Sequence, residues 1–195
     1  MRNPFPLLVV VASLSSAACI ATSEQASNEG DDGTYEAETA TTTCTVRNLL
    51  TKDCQFAQYV LTMSAPEGPR RDAVARGFSW VARGITYSKT STFEGYRTDC
   101  SGFVSMAWQL GVNPSTRMQA PLKFDWSFAL DSYADLLPGD ALNKDGHIGL
   151  FAGWANAEQT AMYILQESGH ANPTNLTIWT TASFKPYTPI RRNGW

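Results

Sequence analysis

Apolar residues along the chain follow two rhythms. Between residues 70 and 111 they recur at helical spacing, and beyond residue 136 they come in short, strand-like runs. Val74, Phe78 and Val81 predict a helix with Arg71, Arg76 and Arg83 mostly off the apolar face, stopped by Gly84. A polar loop, TYSKTSTFEGYRTD, follows. Then CSGFVSMAWQLG places Phe103, Val104, Ala107, Trp108 and Leu110 on one helical face, with Asp99 as N-cap and Gly111 as stop. Residues 112 to 134 read as a loop with a short helical piece. LLPGDALN is a Pro-Gly turn entering a strand, and HIGLFAGW is an apolar strand with His147, Gly149 and Phe151 on one face. NAEQ turns the chain, TAMYILQES returns it, and LTIWTT and KPYTPIRR add further strands. Helices first and strands afterwards predict an α+β domain, its antiparallel sheet of five or six strands packed by the early helices.

Upstream of residue 44 the pattern changes. Arg2, an apolar run from Phe5 to Leu14 and then small residues read as a secretory leader over residues 1–18, too short to span a bilayer as a helix. Ser16 and Ala18 suit cleavage after Ala18, and SSAAC resembles a bacterial lipobox, which makes Cys19 the expected lipidated residue. Residues 20 to 43 are rich in Thr, Glu, Ala and Ser, with six acidic residues and no Lys or Arg, and read as a solvated tether. The remainder, residues 44–195, holds 14 Lys+Arg against 12 Asp+Glu. That balance lacks the basic stripe nucleic-acid binding needs. The expected setting is export, as a surface or outer-membrane lipoprotein or as a secreted monomer, touching a membrane only through its anchor.

The four cysteines divide by position. Cys19 belongs to the leader junction, and Cys44 and Cys54, ten residues apart at the domain's start, are expected to form a disulfide. Cys100 is left over, at the first residues of a helix. There the macrodipole and free N–H groups favour a thiolate and bind an oxyanion, and Gly102 keeps the turn thin for an approaching carbonyl. A nucleophilic cysteine needs a base, and the chain has two histidines, His147 and His170. His147 opens the strand that pairs with YILQES, so Gln166 and Glu167 are the candidates to orient its ring, and they point to opposite faces. Two histidines without a carboxylate or cysteine cluster do not make a zinc set, and no cofactor is expected.

GYRTDCSGFVSMAW, LLPGD, HIGLFAGW and YILQES, in that order, together resemble the NlpC-type cysteine peptidases and amidases of bacterial cell-wall metabolism, which are papain-like and related to the CHAP amidases. The resemblance covers about residues 70 to 170. VARGITYS is also similar to the family's Gly-x-Pro-Tyr segment, with Ile85 in place of proline. The resemblance implies hydrolysis of amide bonds in peptidoglycan stem peptides, with Cys100 as nucleophile and His147 as base. It implies Tyr87, Asp99 and Ser101 as substrate-binding residues. For the third member Glu167 is preferred, because a carboxylate stabilises imidazolium more than an amide does, and Gln166 is the alternative. The rival readings are a wall-peptide binding module without catalysis, and an acyl or amide transferase on the same fold.

Overall fold

The computed structural model describes residues 43–116, 126–169 and 172–195. The leader, Cys19, all but the last tether residue and His170 lie outside the described residues. Among the described residues the architecture is α+β. Three longer helices, α1 (Lys52–Ser64), α2 (Pro69–Arg83) and α3 (Cys100–Trp108), precede most of the strands. A six-stranded antiparallel sheet runs in the order β3 (Ser127–Ala129), β8 (Thr188–Arg192), β4 (Ala141–Lys144), β5 (His147–Trp154), β6 (Ala161–Gln166), β7 (Asn175–Thr180). A two-stranded ribbon, β1 (Thr92–Phe93) with β2 (Tyr96–Arg97), interrupts the polar loop, and a short α4 (Thr181–Phe184) sits between β7 and β8.

Most expected elements are present, and their ends follow local chemistry. Gly84 closes α2 in the left-handed region, where a residue without Cβ meets no penalty. α3 ends earlier than expected: Gln109, not Gly111, takes the left-handed cap, and its N–H bonds back to Met106. Three features were not anticipated. α1 carries apolar residues on both of its faces and so lacks a single-face signal. The β1–β2 ribbon and β3 are only two or three residues long, below the length at which alternation is legible.

The sheet has two buried faces. Ile148, Leu150, Leu165 and Leu176 pack with Val74, Phe78, Phe103 and Val104 from the helices. Leu142, Phe151, Ile164 and Trp179 form a second cluster with Phe184 and Tyr187. Gly77 lets α2 sit close to the sheet, since a Cβ there would lie 2.9 Å from Leu165. The Pro-Gly-Asp turn before β4 is locked by Asp140, which accepts from Arg70 Nη1 at 2.8 Å, from Arg191 Nη2 at 2.8 Å and from the Leu137 N–H at 2.9 Å. Across the domain, Cys44 and Cys54 are joined in a disulfide with Cα atoms 5.7 Å apart, which ties the chain entry to the first turn of α1.

Candidate active site

The site's helical half is built from four consecutive residues. Asp99 caps α3: its Oδ1 accepts from the Gly102 N–H at 2.7 Å and from Ser101 Oγ at 3.1 Å. Its Oδ2 accepts from Arg97 Nε at 2.8 Å, and Arg97 Nη2 reaches Ser101 Oγ at 3.0 Å. Arg97 is held in turn by the carbonyls of Asn113 and Pro114. Asp99 and Ser101 are buried and bonded to Arg97 and the helix start. Sequence reasoning passed over Arg97; its signal was an arginine two residues before the N-cap. Gly102 also differs from expectation. A Cβ there would lie 1.9 Å from the Arg97 carbonyl oxygen, so the missing side chain makes room for the protein's own backbone and not for a substrate.

Cys100 follows the cap and is the free cysteine among the described residues. Its Sγ lies 4.0 Å from the Gly146 carbonyl oxygen, and the Ile148 N–H also points at it. The thiol thus rests against the backbone on both sides of His147. Burial pushes the thiol up from its ordinary value; the Ile148 N–H opposes this, the Asp99 carboxylate adds to it, and the N–H groups of Ser101 and Cys100 oppose it. Desolvation thus outweighs the N–H groups at the start of α3, and the net shift runs against thiolate formation.

The sheet half centres on His147, at the first position of β5. The turn before it is fastened by Thr116, whose hydroxyl accepts from the Gly146 N–H at 3.1 Å and whose carbonyl accepts from Asn143 Nδ2 at 3.1 Å. The imidazole Nε2 lies 2.9 Å from Gln166 Oε1. A carbonyl oxygen only accepts, so Nε2 carries the proton and Nδ1 keeps the lone pair. Burial lowers the ring's pKa, the Gln166 bond opposes this, and Lys144 lowers it further, so the imidazole is neutral at pH 7. Trp179 and Tyr187 flank the ring, with centroids at 5.8 and 6.2 Å. Gly149 leaves room for that wall, since a Cβ there would lie 2.5 Å from Ile164 and 3.4 Å from Trp179. The sequence reading missed Trp179 and Tyr187; aromatic residues in LTIWTT and KPYTPIRR were the only signal. No hydrogen bond joins Sγ to the imidazole, so the structure brings the thiol to the His147 backbone and the ring to Gln166.

Glu167, the preferred orienter, makes no hydrogen bond with His147. Its parity puts it on the other face of β6, where it is fully buried. Its Oε1 accepts from Thr174 Oγ1, and Oε2 has no partner. Desolvation raises its pKa to about 8; Thr174 opposes the shift and Asp99 adds to it. The shift favours the neutral acid, which weakens any support Glu167 could give an imidazolium. Thr174 also bonds the Ile85 carbonyl through its N–H at 2.8 Å, which places Glu167 behind the segment carrying Tyr87. Tyr87 is half-buried; desolvation raises its pKa, with smaller contributions from Cys100, Asp99 and Glu167. Among the described residues no group of three or more His, Cys, Asp or Glu side chains could hold a metal ion.

No protein-family model matches the chain, and no curated protein matches it. Six solved chains match, among them NlpC2 from Trichomonas vaginalis, at 20% identity and a TM-score of 0.42. That match covers 64% of this chain and 45% of the other, so this chain spans less than half of that protein's length. A likeness at that TM-score says nothing about chemistry.

Proposed function

We propose that the chain is a cysteine hydrolase of the NlpC type, with a papain-like arrangement, that cuts amide bonds in peptidoglycan stem peptides. The observation that carries the reading is a free thiol at a helix N-terminus, lodged against the backbone of a histidine whose Nε2 is already held by an amide. The sequence motifs around Cys100 and His147 supply the substrate class.

In this reading Gln166 fixes the tautomer, so Nδ1 is the nitrogen left to take the thiol proton. Thiol and imidazole start uncharged. Proton transfer accompanies attack as the thiol–imidazole contact tightens around bound substrate. Sγ bonds to the substrate carbonyl carbon, and the carbonyl oxygen becomes an oxyanion. In this reading the N–H groups of Cys100 and Ser101 stabilise it, since that of Gly102 is taken by Asp99. The imidazolium then gives its proton to the leaving amine, and a thioester remains on Cys100. Water, deprotonated by Nδ1, attacks the thioester; the acid product leaves and the thiol takes back the proton. Gln166 holds the ring through both halves of the cycle, in place of the expected Glu167. The protein would act after export, anchored at Cys19 or free.

The test is digestion of purified muropeptides followed by mass spectrometry. The parent protein should release pairs of fragments whose masses sum to that of the intact muropeptide plus one water. Cys100→Ala should lose at least about a thousandfold in rate. Intact muropeptides after incubation with folded parent protein would overturn the proposal.

A further inference from the structure

Helix α1 has two apolar faces, and among the described residues one of them packs on the domain while the other is exposed. Cys54, Ala57 and Leu61 turn inward and pack on the domain. Phe56, Tyr59, Val60 and Met63 recur at i, i+3, i+4 and i+7 on the opposite side. Phe56 is 69% exposed, Tyr59 65% and Met63 48%, and Leu50, just before the helix, is 85% exposed. A helix with apolar residues all round is normally enclosed, so this face needs a second surface.

We propose that the outward face of α1 lies on a lipid surface. Three features favour lipid. First, the 42 residues before the described structure enter at this end of this helix: Thr43 begins the described chain, and the Cys44–Cys54 disulfide binds the entry to the first turn of α1. Those residues include Cys19, the expected lipid-bearing residue through which the mature chain would meet a bilayer. An anchor at Cys19 would keep the α1 end of the domain within one tether length of the bilayer.

Second, the chemistry is interfacial. Lys52 falls in the same stripe and Arg47 lies just upstream, while Gln55, Gln58 and Thr62 border the stripe without charge. The acidic side chains nearby are Asp53 on the helix and Glu67, which is paired with Arg71. An aromatic and aliphatic stripe with cations at one end suits the headgroup boundary of an anionic bilayer. Third, the alternative of a second copy is under-sized. A helix of 13 residues is about 20 Å long, and one helix face falls well short of the ~800 Å² per partner that a stable dimer buries.

The inference does not depend on the hydrolase reading, and Cys100→Ser should behave as the parent does. The test uses the mature chain, residues 19–195, carrying Cys19→Ala, so that neither the leader nor an acyl anchor contributes. It is mixed with vesicles of 3:1 phosphatidylethanolamine and phosphatidylglycerol and floated through a density gradient. At limiting lipid, the vesicle-bound fraction should exceed that of the Phe56→Ser/Tyr59→Ser/Met63→Ser variant by at least about fivefold. If that variant does not fold, Tyr59→Asp, at a largely exposed position, carries the same comparison. Equal flotation of parent and variant, bound or unbound, overturns the proposal. So does a dimer in sedimentation velocity that the substitutions abolish, which would assign the face to a second copy.

Discussion

The two halves of the candidate site are held in different ways. On the helix side, Asp99, Ser101 and Gly102 are bonded to one another across two or three positions, and Arg97 closes the group from within four. On the sheet side, His147 meets Gln166 19 residues away and Trp179 and Tyr187 further on. A local cap forms wherever its few residues occur together. A cross-strand contact forms only once the register is set, and a slip of one residue sends every side chain to the other face. The thiol is thus presented by short-range chemistry and its partner by long-range pairing.

The sharpest way to break the helical half is Gly102→Ala. The added Cβ would meet the Arg97 carbonyl carbon and oxygen, which belong to rigid backbone. The substitution should cost at least ~4 kcal/mol in denaturant unfolding, or prevent folding. A loss under about 1 kcal/mol would mean that β2 and α3 separate more easily than the cap geometry implies.

Glu167 probes the opposite face of β6. Its folded pKa of about 8 lies above the unfolded carboxylate value. The folded state therefore holds a proton that the unfolded state releases. That stability is fully present below about pH 4.5 and is lost as pH rises through 8. Across that range the parent should lose up to about 5 kcal/mol from this group. Glu167→Gln, which cannot ionise, should give a flatter curve of unfolding free energy against pH, with activity at pH 6 close to that of the parent. Parallel curves for the two proteins would show that Glu167 ionises normally in the fold.

A smaller effect separates Gln166 from its neighbour. Gln166→Ala should lower kcat about 10- to 100-fold, less than loss of the nucleophile, because the thiol and the α3 N–H groups remain. The acid limb of the rate profile reports the imidazole, already below its ordinary 6.5 through burial. The Gln166 bond raises that pKa, so removing it should move the limb to still lower pH. A drop in rate with no movement of the limb would assign Gln166 to packing alone.

The same contrast explains what was legible in the sequence. The cap at Asp99, the placement of Cys100 and the strand opened by His147 were readable because each is written in a few adjacent residues. The choice between Gln166 and Glu167 was not decided by which group binds imidazolium better. Leu150 pairs with Leu165 in the β5–β6 register, which places Gln166 opposite Gly149, on the face His147 shares. Parity decides before chemistry is compared. Arg97 was hidden because its partners lie both in its own turn and in the loop at Asn113 and Pro114. The exposed stripe of α1 was hidden because the helix offers apolar residues to both sides.

The central claim is that Cys100 forms a covalent bond with the substrate during turnover. Muropeptides mixed with the protein and quenched in acid within the first turnovers should leave an acyl group on the peptide containing Cys100, seen as a mass increase that hydroxylamine removes. The Cys100→Ala protein should show neither adduct nor products. Products released at the parent's rate from Cys100→Ala, with no adduct on the parent, would contradict the account.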